Sequence, residues 1–145
     1  MRVITGTARG RRLKEPQGMD IRPTTDKVKE SMFSILQFDI EGRRVLDLFG
    51  GTGQLGIEAL SRGASEVVFV DKSAAALKLI RENLELCGLS DRARVRNGDS
   101  LAYLRSGEKF DLVFLDPPYD TGLLEQALQD IAGFDICRVH GIIMA

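Results

Sequence analysis

The chain has 145 residues, the size of one globular domain, and its 43% hydrophobic content supplies a real core, which excludes both a multidomain machine and a mainly disordered chain. Twenty basic residues stand against 21 acidic ones, so the net charge of -1 excludes a uniformly basic protein. Its two cysteines, Cys87 and Cys137, form neither a disulfide framework nor a zinc pattern, no metal site is expected, and no apolar run is long enough to span a membrane or serve as a secretory signal. These features point to the cytoplasm.

The amino-terminal segment is the exception to the even charge balance. Arg2, Arg9, Arg11, Arg12 and Lys14 are accompanied by no acid through residue 14. Residues 1–5 suit a short strand, and the Gly/Arg segment after them a turn or irregular arm. Small residues there allow close approach while the arginines fork onto phosphates, so Arg9, Arg11 and Arg12 are candidates for a ribose-phosphate backbone; a solvated, flexible terminus is the alternative. Arg22-Pro-Thr-Thr-Asp26 reads as a loop leading into a helix that presents Val28, Met32, Phe33 and Leu36 as its apolar face.

From residue 44 onward, apolar strands alternate with helices. Strands are predicted at 45–49, 67–70, 93–96, 112–115 and 142–144, and helices at 54–61, 73–87, 100–104 and 123–131, with Gly63 and Gly88 ending the first two. This alternation implies parallel βαβ units and an α/β sheet covered by helices on both faces. It divides the chain into an N-terminal basic arm and helix, residues 1–40, and an α/β domain, residues 41–145.

The segment Asp47-Leu-Phe-Gly-Gly-Thr-Gly53 lies where such a sheet places its ligand, between the carboxyl end of a strand and the start of a helix. Gly50, Gly51 and Gly53 allow a ligand to lie against the backbone. Gly51, Gly53 and Gly56 spell G-x-G-x-x-G, and Asp71 follows Gly51 by 20 residues at the end of the second strand. That spacing admits NAD, but it fits any adenosine-containing cofactor from whose ribose hydroxyls Asp71 accepts; a carboxylate capping the helix ahead of Ser73 is the alternative. Asp99 is placed to accept from an adenine amine or to cap the helix at Ser100. Asp47, inside an apolar strand, requires the amides of its own glycine loop or a ligand ammonium.

The most specific motif is Asp116-Pro-Pro-Tyr119, at the end of the fourth apolar strand. Two prolines make a stiff turn with no N–H, so Asp116 and the Pro117 carbonyl can accept both hydrogens of a planar exocyclic amine while Tyr119 offers a face to its base. Two acceptors draw the amine lone pair out of conjugation and aim it at an electrophile.

With these two loops, the chain resembles S-adenosylmethionine-dependent amino methyltransferases. It is most similar to the bacterial 16S rRNA (guanine-N2) methyltransferase family, through Arg9-Gly-Arg-Arg-Leu13, Arg22-Pro-Thr-Thr-Asp-Lys-Val-Lys-Glu30, Gly56-Ile-Glu-Ala-Leu-Ser-Arg-Gly-Ala64 and Phe110–Tyr119. The resemblance implies a Rossmann-like class I methyltransferase fold, with residues 41–145 as the S-adenosylmethionine-dependent methyltransferase domain, an S-adenosylmethionine cradle at Gly50, Gly51 and Gly53, ribose and adenine contacts from Asp71 and Asp99, and an amine clamp at Asp116, Pro117 and Tyr119. It further implies that Arg22 and Thr24 close over the cofactor and flipped base, and that Arg9, Arg11 and Arg12 meet 16S ribosomal RNA within a small-subunit assembly particle. The family's acid after the second strand is usually glutamate, whereas Asp71 is one methylene shorter. The family fold ordinarily ends in an antiparallel hairpin, and the sequence stops near the fifth strand; exposed sheet edge and self-association are therefore expected.

Three rival activities use parts of the same pattern. N6-adenine DNA methylation uses the same acidic clamp but usually needs a target-recognition insertion, for which these motifs leave no gap. Protein glutamine methylation normally begins its loop with Asn instead of Asp116. An NAD-binding oxidoreductase lacks a hydride-transfer acid or base at the fourth-strand loop, His140 being the only histidine.

Overall fold

A computed structural model describes residues 1–15, 26–49, 51–115, 122–133 and 136–144. Five strands, β1 (Arg44–Leu48), β2 (Glu66–Asp71), β3 (Ala93–Asn97), β4 (Phe110–Leu115) and β5 (Cys137–Met144), form one parallel sheet in the order β3-β2-β1-β4-β5. Helices α1 (Asp26–Leu36), α2 (Gln54–Ser61), α3 (Ala74–Cys87), α4 (Ser100–Tyr103) and α5 (Leu123–Gly133) connect and cover it. This is the parallel α/β sheet expected from the alternation of apolar strands and helices, and the Rossmann-like class I methyltransferase architecture that the resemblance implies.

β1, β2 and β4 are buried along nearly their whole length, which is why they read as continuous apolar runs. One core cluster joins α1, α2 and α3 to one face of the sheet, through Phe33, Leu36, Ile57, Leu60, Phe69, Ile80, Leu84 and Phe114. The other face packs Leu46, Val68, Val113, Ala127 and Ile131 beneath α4 and α5. Ser73 caps α3 by accepting from the Ala76 N–H, and Gly88 ends it in the left-handed region at φ 70°.

The strand boundaries extend past the apolar runs. β5 starts five residues before the expected 142, because Cys137-Arg-Val-His140 is not an apolar run yet joins β4 with a register shift between Phe110 and Leu112. β1 stops at Leu48, one residue short of expectation, because Phe49 turns into the left-handed region at φ 60°.

The amino terminus is folded and contradicts the flexible alternative. Arg2 and Arg12 pair across an antiparallel bridge, the Val3 carbonyl accepts from the Gly10 N–H while the Val3 N–H donates to the Arg11 carbonyl, and Val3, Ala8 and Leu13 are buried in the same cluster as α1 and α2. At Gly6 (φ 94°) the hairpin presses so close to α2 that a Cβ would lie 1.9 Å from the Ser61 carbonyl oxygen.

Helix α1 also departs from its expected apolar face. Phe33 and Leu36 are buried, but Val28 is 51% exposed, and Lys29 is buried completely. The reason lies on α2. The Lys29 ammonium stands 3.2 Å from the Glu58 carboxylate, itself fully buried, and donates to the Arg2 carbonyl at 2.8 Å. An ion pair with satisfied donors replaces an apolar contact at that position.

Candidate active site

The sheet order β3-β2-β1-β4-β5 reverses between β1 and β4, where an open α/β sheet forms a ligand crevice beyond its carboxyl edge. Leu48, the last residue of β1, is in register with Val70 of β2 and Leu115 of β4. Three strand ends therefore bring Phe49, Asp71 and Leu115 to one edge.

Local chemistry shapes the glycine loop. Phe49 at positive φ stores roughly 1–3 kcal/mol of backbone strain. Gly51 and Gly53 also have positive φ, 60° and 79°, where a side chain would be strained. Gly56 serves packing: a Cβ there would come 2.3 Å from the Phe69 ring, so the helix sits against β2 only because that position is glycine. The buried Asp47 carboxylate accepts from the Gly56 N–H at 3.1 Å, which ties the first turn of α2 back to β1.

Asp71 binds the loop from the neighbouring strand. One carboxylate oxygen accepts from the Gly51 N–H at 3.2 Å and the other from the Ser73 N–H at 2.9 Å. The carboxylate is thus oriented by two backbone donors while remaining partly exposed at the crevice. Asp99 is exposed and caps α4, accepting at one oxygen from the Leu101 N–H at 2.8 Å and more weakly from Ala102. Its capping role is therefore present in the fold. Asn97, just before it, is paired with Asp71 across β2 and β3, so both acids belong to the same edge.

Arg9, Arg11 and Arg12 are exposed on the hairpin. Its backbone is fastened to α2: the Ile4 and Thr5 amides donate to the two Glu58 oxygens at 2.8 and 3.0 Å, Ala8 donates to the Ser61 hydroxyl, and Thr7 to the Ser61 carbonyl. Arg62 completes the Glu58 carboxylate at 2.8 Å and lies over the Phe33 ring, which packs on Phe114 of β4. Burial pushes the Lys29 amine below its ordinary pKa, while Glu58 pulls in the opposite direction.

Asp116, Pro117 and Tyr119, together with Gly50, Arg22 and Thr24, lie outside the described residues. The structure shows where the strand leading into the amine-clamp motif ends, at Leu115 beside Leu48. No cluster of metal-binding side chains occurs among the described residues, nor is any described helix long and apolar enough to cross a membrane.

Sequence reasoning did not single out Glu58, Lys29, Asn83 or Phe49. Glu58 had a visible signal, being the lone acid within Leu55-Gly-Ile-Glu-Ala-Leu60, and Asn83 shares a helical face with Ala76 and Ile80. No local signal marked Phe49, because its φ follows from the loop closing over α2.

Comparison with known proteins gives a consistent picture. YlbH of Bacillus subtilis is 42% identical to this chain, covering 100% of it and 81% of YlbH. Ribosomal RNA small subunit methyltransferase D of Haemophilus influenzae is 41% identical over 88% of this chain and 68% of its own length. The protein of the same name from Escherichia coli is 38% identical, with 88% of this chain matched to 65% of its own length. Among solved structures, yhhF of Escherichia coli superposes with a TM-score of 0.82 at 35% identity, over 100% of this chain and 75% of that one. The family model described as Conserved hypothetical protein 95 matches residues 1–145, so the chain belongs to that family and is a homologue of the Ribosomal RNA small subunit methyltransferase D proteins.

Proposed function

We propose that this chain transfers a methyl group from S-adenosylmethionine to the exocyclic N2 amine of a guanine in 16S ribosomal RNA. The observation that carries the reading is the register of Leu48 with both Val70 and Leu115. It sets the glycine loop, the Asp71 carboxylate and the strand entering Asp116-Pro-Pro-Tyr119 at one end of the sheet. The names of the Haemophilus influenzae and Escherichia coli relatives supply the substrate class, small-subunit ribosomal RNA.

The residues present fit an adenosine cofactor. Asp71 offers an acceptor pair already aimed by the Gly51 and Ser73 amides, Gly51 and Gly53 leave the loop bare of side chains, and the Gly53 N–H has no hydrogen-bond acceptor among the described residues. Asp71 holds the ribose, Asp99 the adenine amine through the oxygen not engaged in capping, and Gly50, Gly51 and Gly53 the chain between them. Asp47 steadies the loop from below. When bound, S-adenosylmethionine supplies an electrophilic sulfonium methyl.

On the substrate side, Asp116 and the Pro117 carbonyl accept the two hydrogens of the guanine amine, and Tyr119 stacks on the flipped base. The amine lone pair is then directed along the line of displacement, so rate arises from position and electrostatics. Asp116 takes no proton before attack; the substituted amine sheds one afterwards. Arg22 and Thr24 close on the base, while Arg9, Arg11 and Arg12 grip RNA phosphates from the hairpin. Residues 1–40 thus serve the RNA, in a small-subunit assembly particle in the cytoplasm, and residues 41–145 both the cofactor and the target amine.

A transfer assay with labelled S-adenosylmethionine tests the reading by offering small-subunit particles, naked 16S RNA, duplex DNA and protein in parallel. Label in RNA or particles is expected. Label confined to DNA or protein defeats the proposal.

A further inference from the structure

Asn83 is fully buried on the inner face of α3, and its carboxamide joins two segments far apart in sequence. Its Oδ1 accepts from the Lys14 N–H at 2.7 Å, and its Nδ2 donates to the Lys14 carbonyl at 3.2 Å. One side chain thereby reads both backbone groups of one residue, as a neighbouring strand would. The same Nδ2 donates to the Thr52 carbonyl at 3.3 Å, in the middle of the glycine loop.

We infer that Asn83 is a positioning residue that sets the cofactor loop according to the seating of the N-terminal hairpin. The physical link is the Thr52–Gly53 peptide. A planar trans peptide points its C=O and N–H in opposite directions, and no cis peptide occurs among the described residues. Holding the Thr52 carbonyl toward Asn83 therefore turns the Gly53 N–H to the opposite side of the loop backbone. That N–H has no acceptor among the described residues, so it is a donor the loop can offer a ligand.

The other end of the link is equally constrained. Lys14 follows Leu13, which is 5% exposed and bonded through its N–H to Met1, so the last residues of the hairpin move with its first. When the hairpin is seated, Asn83 has both Lys14 groups in place and its second amide hydrogen is committed to Thr52. When it is displaced, the carboxamide loses two of its three partners and is free to rotate off Thr52. Hairpin seating and cofactor affinity are then thermodynamically linked, and by reciprocity the bound cofactor favours the seated hairpin. Since the hairpin carries Arg9, Arg11 and Arg12, the link makes RNA engagement and cofactor binding mutually supporting. This last consequence rests on the RNA-methyltransferase reading; the link between Lys14 and the glycine loop does not.

The test uses calorimetric titration with S-adenosylhomocysteine on folded protein, checked by circular dichroism. Asn83→Ser removes the link at its centre. Lys14→Pro removes the N–H that Asn83 reads, together with the side chain that pairs with Glu82 of α3 at 3.0 Å, and changes no residue of α3 or the glycine loop, so it remains informative if Asn83→Ser does not fold. Lys14→Ala keeps that N–H and is the control.

Asn83→Ser and Lys14→Pro are each expected to weaken binding by about fivefold or more. The double variant should bind no more weakly than Asn83→Ser, and Lys14→Ala should stay within about twofold of wild type. In turnover, the cofactor KM should rise with kcat retained, which general loss of stability would not produce. Wild-type affinity in folded Lys14→Pro, or additive losses in the double variant, overturns the inference. Failure of the wild-type chain to bind S-adenosylhomocysteine would instead overturn the cofactor reading on which the functional proposal stands.

Discussion

Lys29 and Glu58 are both completely buried, on different helices, with their charged groups 3.2 Å apart. The carboxylate is saturated: it accepts from Ile4, Thr5, Lys29 and Arg62. A buried acid with four donors is the anchor by which a basic hairpin of little apolar content holds to α2. Breaking it leaves an ammonium buried without its counter-charge.

Glu58→Ala is accordingly expected to destabilise the protein by about 3–5 kcal/mol. Denaturant melts would measure the loss. Hydrogen exchange should show the Ile4 and Thr5 amides losing protection, with the β1 amides remaining the slower set.

Lys29 adds a pH signature. Its folded pKa lies below the ordinary 10.5 because burial outweighs the pull of Glu58. Between the lowered value and 10.5 the unfolded chain binds more protons than the folded one, so the Lys29 contribution to stability rises with pH across that window. Urea melts through the alkaline range should show this rise in the wild type relative to Lys29→Met; a difference that is flat or falls with pH would contradict the assignment.

The parallel sheet, its helices and the position of the glycine loop were legible because β1, β2 and β4 are buried on both faces and leave unbroken apolar runs such as Val67-Val-Phe-Val70. The strand ends at Leu48 and Leu115 that lead into the two motifs were legible for the same reason. The hairpin was not legible, since Val3, Ala8 and Leu13 are too sparse to form a pattern and its attachment depends on Glu58 and Asn83, each more than 50 residues away. Val28 and Lys29 exchanged their expected environments for the same reason, because only the partner on α2 makes burial of an ammonium tolerable. Asp99 carried two readings, and the fold displays the cap while the adenine contact awaits a bound cofactor.

The two loops should separate kinetically. Asp71→Ala removes the acceptor pair that also steadies Gly51, and is expected to weaken S-adenosylmethionine binding by about tenfold or more. Asp116→Ala should leave cofactor affinity within about twofold while reducing transfer by about 10²–10³. Calorimetry paired with single-turnover rates distinguishes them, and an unchanged rate in Asp116→Ala would remove the amine clamp.

RNA affinity should fall steeply with added salt, and the slope of its logarithm should diminish by about one for each of Arg9, Arg11 and Arg12 changed to Ala. Filter binding across a salt series measures this. Slopes identical to wild type in all three variants would separate the hairpin from the RNA.

The account is tested most directly by reacting small-subunit particles with isotopically methyl-labelled S-adenosylmethionine, digesting the RNA to nucleosides and identifying the labelled product by mass spectrometry. Label in N2-methylguanosine is the expected result. Label in N6-methyladenosine, or none in RNA from a chain that binds the cofactor, would contradict it.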